Sequence, residues 1–241
     1  MSSENALAEI DTNGAIEEAA HEATESLGSG DTRLSFLKKA GLAGGAAIGG
    51  GALLGALTPA GAMAAGGKGR PPASFGKGDV GILNFALTLE YLEAAFYNEA
   101  SANQMKKTFI KNKQAQVFLK TVTADENAHV AYLKKALGSK AVAAPKVDFG
   151  ATTGSEASFI KTAVALENTG VHAYSGQALN ITTPATVAAA LSILTIEARH
   201  ASVAGLLLKA TPGNITPDGP FDTPFTAQEV LKAVKKTGFL V

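Results

Sequence analysis

Two short motifs pair a carboxylate with an imidazole at a spacing of three: Glu126-Asn-Ala-His129 and Glu197-Ala-Arg-His200. On a helix, residues three apart lie about 60° from each other, so each pair presents both side chains to the same neighbour. Two further glutamates stand in apolar stretches directly after a leucine, as Leu89-Glu90 and Leu166-Glu167, and Glu197 follows Ile196. A carboxylate on an apolar face is costly to bury unless it is paired or bound to a cation. Four in one core would repel one another, and two divalent cations would remove that repulsion. Glu90, Glu126, His129, Glu167, Glu197 and His200 are therefore candidate ligands of a two-metal centre. Carboxylate and imidazole donors without sulfur suit two Fe or two Mn ions. The competing reading takes each Glu–His pair as a surface contact.

The pattern occurs twice. Glu90 and Glu167 are 77 residues apart (167 minus 90), and Glu126 and Glu197 are 71 apart (197 minus 126). Tyr97 and Tyr174 each stand seven residues after the lone glutamate of their half. They lie two turns on, nearly on the same face, and either hydrogen-bond near the site or fill core, the second being the favoured expectation. Glu93, three after Glu90, is either a seventh ligand, an acceptor beside the ligands, or a carboxylate at the bundle surface. His172, five after Glu167, lies about 140° around the helix and is read as a packing or interface histidine. Asp125 is a candidate to orient a ligand histidine from another helix.

These residues need helices to position them. Three- and four-residue apolar spacing predicts helices over about 79–103, 106–137, 155–179 and 183–209. Thr183-Pro184 reads as an N-cap followed by proline at the first helical position. The first and last connections are short and the middle one long, which fits an all-α four-helix bundle with one long crossover between the second and third helices. After the proline- and glycine-rich stretch 212–224, Thr226-Ala-Gln-Glu229 reads as a capping box that opens a short C-terminal helix on the outside of the bundle.

At this level of detail, residues 79–209 resemble the ferritin-like superfamily, and within it the branch of exported bacterial ferritin-like and plant desiccation-related proteins. Three segments carry the resemblance: Asn-Phe-Ala-Leu-Thr-Leu-Glu90-Tyr-Leu-Glu-Ala-Ala-Phe-Tyr97, Asp-Glu126-Asn-Ala-His129 and Ala-Leu-Glu167-Asn-Thr-Gly-Val-His-Ala-Tyr174. The ligand chemistry points to redox reaction with dioxygen or peroxide, as a ferroxidase or a peroxide-consuming oxidoreductase in a stress-related setting. The alternative is a structural or protective envelope protein whose metal mainly holds the bundle together. A storage cage fits poorly with a long N-terminal extension.

The rest of the chain narrows the setting. Absence of cysteine excludes disulfides, thiolate metal sites and thiol catalysis. The zero net charge conceals an acidic head: residues 1–31 hold eight Asp and Glu and no Lys or Arg, and read as a disordered extension. No dense basic cluster suggests a nucleic-acid partner. Residues 32–65 combine a basic start, a weakly apolar run and Ala62-Met63-Ala64, the parts of an export signal. Thr32-Arg33-Leu34-Ser35-Phe36-Leu37-Lys38 resembles a twin-arginine signal with Leu34 in place of the second arginine. Export machinery is the implied partner, with cleavage near Ala64 and release to the periplasm, cell envelope or medium. A membrane anchor or a cytoplasmic protein with a disordered head are the alternatives. Residues 66–78 form a linker, 79–210 the bundle, and 211–241 a loop and final helix. Alanine- and glycine-rich helix faces would permit a homodimer.

Overall fold

A computed structural model describes residues 69–241. The acidic extension, the signal-like segment and most of the linker lie outside the described residues. Four long helices form the body: α1 (Gly78–Lys106), α2 (Lys113–Leu137), α3 (Glu156–Gln177) and α4 (Pro184–Leu208). A helical turn, α5 (Pro212–Ile215), and a last helix, α6 (Ala227–Thr237), follow. Among the described residues there is no strand, only one isolated antiparallel bridge between Val147 and Leu240.

Local chemistry sets the ends. Asn112 caps α2 by accepting from the backbone N–H groups of Gln114 and Ala115, and Ser155 caps α3 at Ser158. Helix α2 therefore begins at Lys113, seven residues later than its apolar spacing predicts. The intervening chain is held extended because the Gln104 side chain accepts from the N–H groups of Phe109 and Ile110. The third helix stops at Gln177 and tightens into a 3-10 turn over Ala178–Asn180. Pro184 opens α4 as expected, yet Thr183 caps nothing with its side chain. Its N–H instead donates to Asp79, which also accepts from Thr182, and so pins the α3–α4 connection to the start of α1.

The core is two apolar clusters. One gathers Phe96, Tyr97, Phe118 and Phe159 where α1 ends and α2 and α3 begin. The other gathers Leu87, Leu133, Leu137 and Ile193 where α1 and α4 begin and α2 ends. Helices α1 and α4 thus run one way and α2 and α3 the other, so the α2–α3 connection must travel the length of the bundle, as a ferritin-like bundle requires. The C-terminus fastens this crossover: Asp148 N–H donates to Phe239 and Val241 N–H to Lys146. Helix α4 is long and apolar enough to cross a membrane, but it buries Glu197 and His200 among the other helices, as a core helix does.

The capping box forms as its sequence predicts, with Thr226 and Glu229 each bonding the other's backbone. Helix α6 buries Ala227, Val230 and Val234 in the larger cluster. The chain entering it crosses α3 at Gly176, where Phe225 N–H donates to the carbonyl of His172. A Cβ on Gly176 would lie 1.7 Å from the Phe225 carbonyl oxygen, so only glycine admits this approach. Gly176→Ala is expected to destabilise the fold by about 2 kcal/mol, in the range of overpacked cores. Gly213→Ala, where a Cβ meets nothing within 4 Å, is the control and should shift a urea melt by less than about 0.5 kcal/mol.

Candidate metal centre

Between the two apolar clusters lies a layer of charge. Glu90, Glu126, Glu167 and Glu197 are fully buried and His200 is 6% exposed. They converge from four helices: Glu90 from α1, Glu126 and His129 from α2, Glu167 from α3, Glu197 and His200 from α4. Two overlapping groups have donor atoms all within 4.8 Å of one another. The first is Glu90, Glu126, His129 and Glu197; the second is Glu126, Glu167, Glu197 and His200. The structure thus brings together all six residues picked out by their spacing.

The pairing is close to symmetric. His129 Nδ1 lies 3.2 Å from Glu90 Oε2, 3.3 Å from Glu126 Oε2 and 3.2 Å from Glu197 Oε1. His200 Nδ1 lies 3.0 Å from Glu126 Oε1 and 3.4 Å from Glu167 Oε2. Glu126 therefore turns one oxygen to each histidine. Tyr97 donates to Glu167 Oε1 and Tyr174 to Glu90 Oε1. The expectation that these tyrosines merely fill core is corrected: they are buried in it, and each hydroxyl finds its acceptor in a site carboxylate, as a buried phenol must. Asp125 Oδ2 lies 3.0 Å from His200 Nε2, which is the orienting role its place in the sequence suggested.

Glu93 is 3% exposed and lies beside Glu197, which excludes the reading of it as a surface carboxylate. His172 makes its contacts away from the ligands: its Nε2 pairs with Asp218 at 3.1 Å and its ring packs on Phe225. The sequence left Glu93 open because three residues on from Glu90 it could equally have edged onto the surface; what encloses it is α3, whose Gly170 lies against its carboxyl.

Whether these residues fit metal ions is tested by what they leave over. Glu126 Oε1, Glu167 Oε2, both oxygens of Glu197 and His200 Nδ1 are buried without a hydrogen bond among the described residues. Apart from Glu197 Oε2 these atoms face only one another and His129, as ion pairs at 3.0–3.4 Å; unsatisfied buried acceptors cost about 1–3 kcal/mol each, so this layer could hold cations. The donor set, oxygens with imidazole nitrogens, fits iron or manganese.

Protons take the place of cations in the metal-free protein. Burial works against charge on His129, but Glu126, Glu197 and Glu90 outweigh it and hold the imidazolium up to about 12. His200 is likewise held up to about 11, burial being outweighed by Glu126 and Glu167. Burial raises Glu90 to about 8. Burial would also raise Glu126, but His129 and His200 hold it down to about 2. Burial and neighbouring carboxylates raise Glu93 and Glu197.

The histidines bind protons more tightly folded than unfolded, so their contribution to stability is complete below 6.5 and is lost as pH rises toward 11 and 12. Glu90 behaves in the same sense between 4.5 and about 8. Glu126 runs oppositely, its contribution being present above 4.5 and lost toward 2. The metal-free protein is therefore expected to melt lower at about pH 9 than at about pH 6. Divalent-ion affinity should rise over the same interval, because ions displace those protons. Thermal melts with and without Mn(II) at both pH values check both signs. Asp125→Asn should lower metal affinity about 10- to 100-fold with the fold intact, the usual effect of losing a partner that orients a ligand; calorimetric titration measures it.

No individually curated protein matches the chain. Residues 78–210 match the family description "Ferritin-like domain", which is more than half of the 241 residues and coincides with α1 to α4. With four helices in ferritin-like connectivity around a buried Glu and His layer, this chain belongs to the ferritin-like domain family.

Proposed function

We propose that this chain is a dinuclear metal carboxylate oxidoreductase that holds two iron or two manganese ions and reacts with dioxygen or peroxide. One observation carries the proposal: four helices bring the donor atoms of four glutamates and two histidines into two overlapping buried groups, each within 4.8 Å, in which Glu197 Oε2 has no hydrogen bond among the described residues. Glu126 and Glu197 belong to both donor groups and would be shared. Glu90 and His129 would complete one side, Glu167 and His200 the other. When bound, such a pair supplies two adjacent redox-active cations, which dioxygen or peroxide can oxidise and which peroxide can cycle.

The protein's own part is to hold these ligands. Tyr174 and Tyr97 each tie one oxygen of Glu90 and Glu167 and leave the other facing the layer. Asp125 accepts from His200 Nε2 and so keeps Nδ1 facing the layer, where it would offer a lone pair once a metal displaced its proton. The apolar clusters above and below keep bulk water from the carboxylates. A groove of about 550 Å³ between α2 and α4, lined by Val117, Phe118, Ile196 and Val203, also includes Asp125 and His200 in its wall and would bring a small oxidant beside that ligand.

Action outside the cytoplasm in a stress-related setting is supported by the signal-like segment 32–65. A homodimer is supported by the exposed apolar side chains of α4, Leu191, Val203 and Leu206. The enclosure of the four glutamates favours one other reading, a protective protein whose metal chiefly stabilises the bundle.

Purified protein given Fe(II) or Mn(II) is expected to retain two ions per chain and to oxidise Fe(II) or consume peroxide. Glu167→Ala and His200→Ala should abolish turnover even where the fold survives. Metal at about 100 times its Kd with no turnover, but with stabilisation of about 2.7 kcal/mol, selects the structural reading. Failure to bind either metal refutes both.

A further inference from the structure

The shift of 77 residues that carries Glu90 onto Glu167 and Tyr97 onto Tyr174 carries Glu93 onto Gly170. At this one position inside the charged layer, α1 supplies a carboxylate and α3 supplies no side chain. The two are in contact across the layer. A Cβ on Gly170 would lie 2.6 Å from Glu197 Oε2 and 3.3 Å from Glu93 Oε1. Both carboxylates therefore reach into the space that any larger residue on α3 would fill.

Nothing in the protein rewards Glu93 for being there. It is 97% shielded, at 3% exposure, and among the described residues no donor hydrogen-bonds its carboxyl. The neighbours acting on it most strongly are Glu197, Glu126, Glu167 and Glu90, all carboxylates. Glu197 Oε2, the oxygen that shares the Gly170 space, is also without a partner. An apolar side chain would make a better metal-free core.

We propose that Glu93 is a seventh ligand of the dinuclear centre, beside Glu197, and that Gly170 is the gap that admits it. The inference rests on the dinuclear reading. Its chemical consequence follows from charge. Four carboxylates with neutral histidines balance two M(II) ions; a fifth balances a pair midway between M(II) and M(III). The added anion stabilises the oxidised pair and lowers its potential, and it does so unequally, because α3 brings no counterpart.

The test is a crystal structure of the full chain loaded with Mn(II), with anomalous scattering to locate the ions. A Glu93 oxygen is expected at bonding distance, about 2.0–2.3 Å, from one of them. Two ions held by the other six residues, with Glu93 out of reach, overturn this inference and leave the dinuclear reading standing. A protein that takes up no ion overturns both. In solution, metal-free Glu93→Ala and Glu93→Gln should melt no lower than wild type, since an unpaired buried carboxylate is removed, while Mn(II) affinity by calorimetry falls at least about tenfold. Unchanged affinity in either folded variant also overturns the proposal.

Discussion

Mutual repulsion among buried carboxylates is the constraint to which the rest of the molecule answers. Glu90, Glu93, Glu126, Glu167 and Glu197 share one layer, each under 4% exposed. Hydrophobic packing alone would separate them, because burial and neighbouring carboxylates disfavour the charged forms of Glu90, Glu93, Glu167 and Glu197. The layer persists because two imidazoliums stand among the carboxylates, two phenols donate into them, and apolar clusters on either side tie the four helices together. The metal-free protein is thus held by protons on His129 and His200, which divalent ions are suited to replace.

The hydrogen bonds to the layer cross between the two halves of the repeat. Tyr97 of α1 donates to Glu167 of α3, and Tyr174 of α3 donates to Glu90 of α1. His129 of α2 reaches Glu197 of α4, and His200 of α4 reaches Glu126 of α2. Neither helix pair by itself completes a four-residue donor group. The long crossover brings the second pair alongside the first in the orientation that makes these exchanges, and the C-terminal residues that bond Lys146 and Asp148 hold it in that path. Peripheral contacts such as Phe225 on Gly176 therefore serve the site at a distance, by fixing where α3 lies.

How much of this was legible depended on whether a feature repeats. The convergence of the six candidate ligands was, because a Glu and an E-x-x-H pair recur at a nearly constant interval, and chance does not readily place six such residues mid-helix. The bundle connectivity was, because it follows from connection lengths. The start of α2 was not: Phe109 fits a helical period, but Gln104, five residues back, captures the N–H groups that a helix would use, and Asn112 offers a cap farther on. The tyrosines were read as core filler because spacing reports which face a side chain is on and not what its hydroxyl meets. Glu93 was undecided for the same reason: its face was known and its depth was not, and Gly170 explains its depth only once α3 is placed against α1.

The places where the repeat fails carry as much information as those where it holds. The 77-residue shift that aligns the lone glutamates pairs Glu93 with Gly170. The 71-residue shift that aligns the E-x-x-H motifs pairs Asp125 with Ile196. Each mismatch lies within the site: Glu93 and Gly170 meet at Glu197, and Asp125 orients His200, whereas the residue equivalent to it before Glu197 is an aliphatic that can accept no hydrogen bond from His129. One half has gained a carboxylate in the layer and a carboxylate behind a ligand, and both changes act on the electron density and orientation of ligands rather than on packing. Under the dinuclear reading proposed above, that bias would let two bound ions differ in potential.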